Sequence, residues 1–260
     1  MLEINNIYNC DCIVGMSEIP DESIDMILCD LPYNTIAAKW DKLIPSDKLW
    51  EHYRRITKKN AAIVLFGSEP FATNVRNCAM DLYNKYDWIW VKNSAACFVH
   101  AKNMPLKNFE VIMVFSKGGM GHQSLLGENR MNYFPQGLVA NHQISKRNKG
   151  SFGNVMGKRP SHKDDVVERE FENYPKSVLY FDKDPDSFHP TQKPVALLEY
   201  LIRTYTKEGD LVLDNCMGSA ATAIASIRSK RHYLGFETNE EYYKKSLKRI
   251  EAEKSQLTLF

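Results

Sequence analysis

Ile24-Asp25-Met26-Ile27-Leu28-Cys29-Asp30-Leu31-Pro32-Tyr33 is the stretch whose reading organises the rest of this chain. Six mostly apolar residues run into an acid and then a proline, the pattern of a strand covered on both faces that stops where the backbone must turn. Ala61-Ala62-Ile63-Val64-Leu65-Phe66 repeats it and stops at Gly67-Ser68, and Leu211-Val212-Leu213-Asp214 and Tyr233-Leu234-Gly235-Phe236-Glu237 again end in acids. Between the first two, Leu49, Trp50, Tyr53 and Ile56 fall at helical spacing behind Ser46 or Asp47, either a suitable cap. Strand, helix, strand predicts a parallel sheet.

Outward from this centre, Trp88–Val91 and Val111–Phe115 read as strands closing the sheet, and Val178–Phe181 as one more. Pro194–Tyr205 reads as a helix with proline in its first turn, Ala220–Arg228 as a small-residue helix and Glu240–Glu253 as a closing amphipathic helix. Ser255–Phe260 is expected to be a loose tail, and Ile7–Cys12 a further strand.

At 260 residues, 43% hydrophobic and 25% charged, the chain can bury one good-sized core of ordinary soluble composition. No stretch is long and apolar enough to cross a bilayer, and Met1-Leu2-Glu3-Ile4-Asn5 lacks the charged start and apolar centre of a secretory signal, so a cytoplasmic location is expected. The six cysteines (Cys10, Cys12, Cys29, Cys78, Cys97, Cys216) show no CxxC pair and no histidine at zinc-finger spacing. They read as reduced thiols, with Cys12 and Cys216 as small buried apolar residues and no metal site.

The net charge of +2 is unevenly spread. Between Lys117 and Lys163 stand eight Lys and Arg against one acid, Glu128, in a stretch with little periodicity. Residues 118–176 therefore read as an insertion facing a polyanion, with Lys146, Arg147, Lys149, Lys158 and Arg159 as candidate nucleic-acid contacts. A solvated loop would show the same composition, but about fifty structureless residues in a compact domain are usually functional or disordered.

Ligands of open parallel sheets bind where strands end and helix N-termini converge. Asp214 ends one strand ahead of the small residues Gly218-Ser219-Ala220-Ala221-Thr222, and Glu237 ends the next, at the spacing where dinucleotide-type folds place an acid on ribose hydroxyls. Neither GxGxxG nor GxxxxGK[ST] is present, so a nucleoside without phosphates fits better.

Four segments in one order carry a family resemblance: Asp30-Leu31-Pro32-Tyr33, the basic region, His189-Pro190-Thr191-Gln192-Lys193-Pro194, and Asp214 to Thr222. With these the chain resembles S-adenosylmethionine-dependent DNA amino-methyltransferases of the permuted beta class over nearly its whole length. The resemblance implies an α/β fold, a Rossmann-like methyltransferase sheet with helices on both faces and an inserted target-recognition region. Residues 1–117 and 177–260 would form the catalytic and cofactor-binding domain, and 118–176 the insertion.

Carried over residue by residue, the resemblance makes Asp30, Pro32 and Tyr33 catalytic. It places Asp11, Cys12, Asp30, Asp214, Met217, Gly218, Ser219 and Glu237 around S-adenosylmethionine, with His189, Thr191 and Lys193 at its methionine end. An exocyclic base amine is a poor nucleophile, and two acceptors, the Asp30 carboxylate and the Pro32 carbonyl, would turn its lone pair toward the methyl group. Tyr33 would stack on a base flipped out of double-stranded DNA. Aspartate at the motif's head favours the N6 of adenine; the N4 of cytosine, or a catalytically weak DNA-binding homologue, are the alternatives. A second copy of the chain and a restriction endonuclease are further partners that the resemblance suggests.

The sequence departs from the family pattern at Leu31, where a first proline is usual, at Asn215-Cys216 in place of Pro-Phe, and at Ala220-Ala221 in place of Gly-Thr. The last two changes put the packing beside the cofactor in question.

Overall fold

A computed structural model describes residues 2–34, 41–79, 82, 84–96, 98–121, 126–146, 166–185 and 187–257. The chain divides into two compact units, one made of residues 1–134 and 177–260 and a smaller one of residues 135–176.

The larger unit is built on an eight-stranded sheet in the spatial order β1-β10-β9-β2-β3-β5-β4-β8. Its strands are β1 (Asn6–Tyr8), β2 (Ile24–Cys29), β3 (Thr57–Gly67), β4 (Asn84–Ala96), β5 (Lys107–Phe115), β8 (Val178–Tyr180), β9 (Leu211–Asp214) and β10 (His232–Phe236). From β1 to β3 all neighbours are parallel, as are β4 and β8. β5 is antiparallel to both β3 and β4, so the sheet is mixed rather than wholly parallel. The cause is local: among its described residues the short link from Ala96 to Lys107 holds one 3₁₀ turn and no α-helix to carry the chain back across the sheet, so it closes a hairpin.

Helices α1 (Cys12–Ser17), α2 (Ser46–Ile56) and α3 (Phe71–Ala79) cover one face, and α4 (Val195–Tyr205), α5 (Ala221–Arg228) and α6 (Glu240–Leu257) the other. Alternation along the central strands makes this possible. Met26, Leu28, Ala62, Val64 and Phe66 point into the core shared with Leu197, Leu198, Leu201 and Ile224. Their neighbours Ile27, Cys29, Ile63 and Leu65 point into the core shared with Met16, Leu49, Trp50 and Tyr53. Strands buried on both sides read as continuous apolar runs for this reason.

Several local expectations are corrected. The strand at the start ends at Tyr8, and Asp11 is instead the N-cap of α1, its Oδ1 accepting from the Ile13 and Val14 N–H groups at 2.8 and 3.3 Å. Neither Ser46 nor Asp47 caps α2, whose N-cap is Pro45 without a side-chain bond, and α4 begins after Pro194 with its Val195 N–H directed at Asp184, 3.3 Å away. Ser255–Leu257 belong to α6 rather than to a loose tail.

Residues 126–134 pack with the larger unit: Met131 is buried in its core and the Phe134 N–H donates to the Thr204 carbonyl at 2.7 Å. The smaller unit is an antiparallel ribbon of β6 (Val139–Lys146) and β7 (Val166–Glu172), steadied where Asn173 Nδ2 donates to the Gly137 carbonyl at 2.7 Å. Among the described residues no helix is long and apolar enough to cross a membrane.

Candidate active site

β2 and β9 lie side by side at the centre of the sheet, yet the chain leaves them in opposite directions: β2 leads through α2 to β3, and β9 through α5 to β10. The crevice outside the carboxyl ends of two such strands is where open α/β sheets hold ligands. Asp30 and Asp214 sit at those two ends.

On the β9 side, the loop after Asp214 is tied from all directions. Asp214 Oδ1 accepts from the Cys216 N–H at 3.0 Å and Oδ2 from the Thr222 hydroxyl at 2.6 Å. The Met217 N–H donates to the Phe236 carbonyl at 2.8 Å, Ser246 Oγ to the Gly218 carbonyl at 2.6 Å, and Arg249 to the Ser219 carbonyl at 2.9 Å. Gly218 turns this loop with φ +51°, where a side chain would be strained. Ala220 adopts φ +61° where the family pattern has glycine, at a strain of roughly 1 kcal/mol.

Glu237 does more than await a ligand. Its Oε2 accepts from the Gly218 N–H at 2.8 Å and its Oε1 from the Asn239 N–H at 2.7 Å, so the carboxylate clamps the loop of one strand to the end of the next. Burial raises the pKa of Glu237, and burial pushes Asp214 up from 3.8 to about 6 despite its hydrogen bonds. His189 is driven the other way, from 6.5 down to about 4, by burial and by the nearby Lys193. His189 Nδ1 lies 3.4 Å from the Thr191 N–H and 3.2 Å from its hydroxyl. The ring packs edge-on to Tyr242 at 4.4 Å.

Asp30 is held by two partners. Tyr33 donates its hydroxyl to Oδ1 at 2.9 Å and Lys193 donates to Oδ2 at 2.5 Å. Lys193 also stands 3.3 Å from Glu110 Oε2, and Glu110 Oε1 is held by Lys92 at 2.5 Å. The row Lys92, Glu110, Lys193, Asp30 thus alternates in sign. Burial would lower the pKa of Lys193, but Asp30 and Glu110 outweigh it and hold the ammonium charged. Burial likewise works to raise Glu110, and its two lysines outweigh it and hold the carboxyl below its ordinary range. Asp30 is raised, burial outweighing Lys193. Phe71 stacks on one face of Tyr33, with ring centres 4.4 Å apart.

Three adjoining cavities collect these residues. A small one of about 70 Å³ is lined by Asp30, His189, Thr191, Lys193, Asp214, Met217, Gly218, Ser219 and Glu237. A second of about 340 Å³ takes in Asp11, Cys12, Pro32, Cys216, Phe236 and Tyr242, with His189 and Glu237 shared. A third, of about 450 Å³, is lined by Asp30, Tyr33, Trp90, Lys92, Glu110 and Lys193. The structure therefore brings together every residue read as catalytic or cofactor-binding, with Lys193 against Asp30 at the boundary of the first and third cavities. Lys146 ends β6 in the smaller unit; Arg147, Lys149, Lys158 and Arg159 lie outside the described residues.

Sequence reading missed Trp90, Lys92 and Glu110 in the third cavity, and Phe71 behind Tyr33. It also missed the reason for Asn215, whose Oδ1 accepts from the buried Tyr53 hydroxyl at 2.6 Å. Tyr53→Phe is expected to leave that oxygen unpaired, lowering unfolding free energy by about 1–3 kcal/mol in urea titration. An unchanged midpoint would show that the bond does not anchor the loop. Burial pushes the Cys29 thiol up to about 12, and hydrogen bonding with Cys216, then burial, raises Cys12. Both stay protonated.

Known proteins resemble this chain over most of its length. The chain is 29% identical over 275 residues to the DNA adenine methyltransferase YhdJ of Escherichia coli (strain K12), covering 96% of this chain and 83% of that protein. It is also 29% identical over 260 residues to the type II methyltransferase M1.MboII of Moraxella bovis, covering 93% and 95%. The solved M1.HpyAVI–SAM complex superposes with a TM-score of 0.64 at 21% identity, over 94% of this chain and 98% of that one. The sequence profile of the N6/N4 methyltransferases, described as DNA methylase, matches residues 24–248, a span that holds both acid-ended central strands and the lysine between their cavities, and the chain belongs to that family.

Proposed function

We propose that this DNA methyltransferase, of the permuted beta class, transfers a methyl group from S-adenosylmethionine to the N6 of an adenine flipped out of a specific DNA sequence. The observation that carries the reading is Asp30, whose carboxylate borders both the cavity at the β9 loop and the larger cavity lined by Tyr33 and Trp90. A donor on one side and an amine on the other would meet there.

The residues at the β9 loop fit the cofactor. Asp30, Asp214 and Glu237 are carboxyl groups raised by burial, and a bound cation would relieve each. Beside them, Phe236, Cys12 and Tyr242 offer an apolar slot for a purine. Bound there, S-adenosylmethionine supplies a methyl group on a positively charged sulfur. Glu237 and Asp11 would hold the nucleoside end, and Asp214, His189 and Thr191 the methionine end.

On the other side, Asp30 would accept one N–H of the adenine amine and the Pro32 carbonyl the other, drawing the nitrogen toward tetrahedral geometry. Tyr33, backed by Phe71, would stack on the base. Lys193 must give up its bond to Asp30 as the amine arrives, and Glu110 gives it somewhere to go. After transfer the nitrogen sheds one proton, and the raised pKa of Asp30 suits it to accept that proton.

The adenine methyltransferase YhdJ, a relative over most of the chain, supports adenine, and the family covers both amines. The test is to incubate unmethylated DNA with the protein and S-adenosylmethionine, then read modified bases by single-molecule sequencing, with Asp30→Ala in parallel. 6-Methyladenine in one sequence context, absent with the variant, is expected. 4-Methylcytosine would overturn the base assignment, and no modification with cofactor binding intact would favour a DNA-binding homologue without turnover.

A pH signature follows. Ionised Asp214 favours a cationic ligand, so cofactor affinity should fall as pH drops through about 6, and Asp214→Asn should flatten the profile in calorimetric titration. Stability should not follow the same curve. The folded chain holds Asp214's proton more tightly than the unfolded one between pH 3.8 and about 6, so this group favours folding at low pH and loses that contribution as pH rises. His189, lowered from 6.5 to about 4, does the opposite across nearly the same window. An affinity profile without an inflection near 6 would remove Asp214 from the cofactor site.

A further inference from the structure

The β4–β5 hairpin has a stem and a tip of different character. Lys92, Ala96 and Glu110 in the stem line the cavity assigned to the target base. The tip, Phe98-Val99-His100, forms one turn of 3₁₀ helix that holds Phe98 and Val99 outward, 80% and 83% exposed. Met104 on the return of the hairpin is 53% exposed. Water is the least favourable surrounding for such side chains, so a partner that covers them would be favoured.

The charge around the tip indicates which partner. Lys92 is taken up by Glu110, but from Asn93 to Phe109 the sequence holds Lys102 and Lys107 and no Asp or Glu. An apolar point with cations behind it matches a base stack edged by phosphates, where phosphate contacts position a protein and apolar side chains enter between bases. Position agrees with charge. Phe98 is two residues beyond Ala96, at most about 7 Å of extended chain from the cavity lining. A base swung out into the cavity stays tethered by its own backbone to the gap it leaves, so a segment beside the cavity stands beside that gap.

We propose that Phe98, supported by Val99, enters the target duplex and fills the space vacated by the flipped base. This rests on the reading of the chain as a base-flipping DNA methyltransferase. A flipped base leaves its partner unstacked, and an aromatic ring in the gap restores one stacking surface and slows the base's return. Lys102 and Lys107 would hold the flanking phosphates.

The test compares wild type with Phe98→Ala/Val99→Ala on three DNAs carrying the sequence context found by sequencing: a fully paired duplex, a duplex with an abasic site opposite the target, and the single strand. The double variant is expected to lose methylation of the paired duplex by about tenfold or more. It should stay within about threefold of wild type on the abasic duplex and the single strand, where little stacking has to be replaced. Phe98→Trp should restore the paired duplex, and fluorescence of 2-aminopurine at the target position should drop with the double variant alone.

Equal loss on all three DNAs would overturn the proposal, because the tip would then serve binding or folding in general. No loss on any would overturn it too. Loss of self-association in sedimentation, with duplex methylation unchanged, would reassign the tip to contact with a second copy of the chain. A wild type inactive on all three DNAs would remove the methyltransferase reading itself, an outcome distinct from a failure of the hairpin.

Discussion

Asp30→Asn is expected to slow methyl transfer by about 10²–10³-fold, the usual effect of removing one preorganised acceptor or donor at a reacting centre. The replacement is nearly isosteric, so the loss would come from charge. An amide offers a weaker acceptor to the adenine N–H, cannot take the departing proton, and can turn its own NH₂ toward the amine. It also frees Lys193 from the bond that holds it at 2.5 Å, leaving Glu110 as the remaining carboxylate beside the ammonium. Single-turnover kinetics at saturating S-adenosylmethionine isolates the chemical step from any loss of cofactor affinity that the missing charge brings. A turnover within tenfold of wild type would show that Asp30 does not bear on the amine.

Asp30 was legible because three constraints meet in its neighbourhood. A strand buried on both faces must be apolar throughout, it must stop where polar groups can be satisfied, and a proline keeps it from continuing. The same logic made β3, β9 and β10 visible, together with the carboxylates that end two of them. α2 was visible because Leu49, Trp50, Tyr53 and Ile56 share one buried face. α1 was not, because six residues give too short a period to read, and its capping acid looked like the end of a strand.

Glu110 was hidden for a different physical reason. It stands in Lys107-Asn108-Phe109-Glu110-Val111-Ile112, where a polar start passes into an apolar run, and one acid at that transition looks like the edge of a strand. Only the pairing of β4 with β5 sets it beside Lys92, and only the chain's return through Pro194 brings Lys193 to its other oxygen. The ribbon of β6 and β7 escaped notice because a two-stranded element buries no continuous face and need not alternate strictly. What stays out of reach of sequence patterns is pairing between distant segments, and the charge row beside Asp30 is made of nothing else.

Lys193→Met tests that row most directly. The substitution keeps an unbranched side chain, one atom shorter, while deleting the charge between Asp30 and Glu110 and the cation over the Phe66 ring. Removing one partner of a buried ion pair leaves uncompensated charge and typically costs about 3–5 kcal/mol, so a loss of that order is expected at pH 8. The sign of its pH dependence is fixed by linkage. In the wild type Glu110 lies below its ordinary range, so it contributes stability above its unfolded pKa that is lost as pH falls through the folded one. Without Lys193 the two facing carboxyls are expected to rise above their unfolded values, so the folded variant takes up protons and regains stability as pH falls. Urea unfolding at pH 5 and pH 8 should therefore show a smaller gap between variant and wild type at the lower pH. A gap of the same size at both would mean that Lys193 acts through packing and that its two carboxylates do not depend on its charge. Methylation should be lost at either pH, because an amine approaching Asp30 would meet a carboxyl whose proton now competes for the same lone pair.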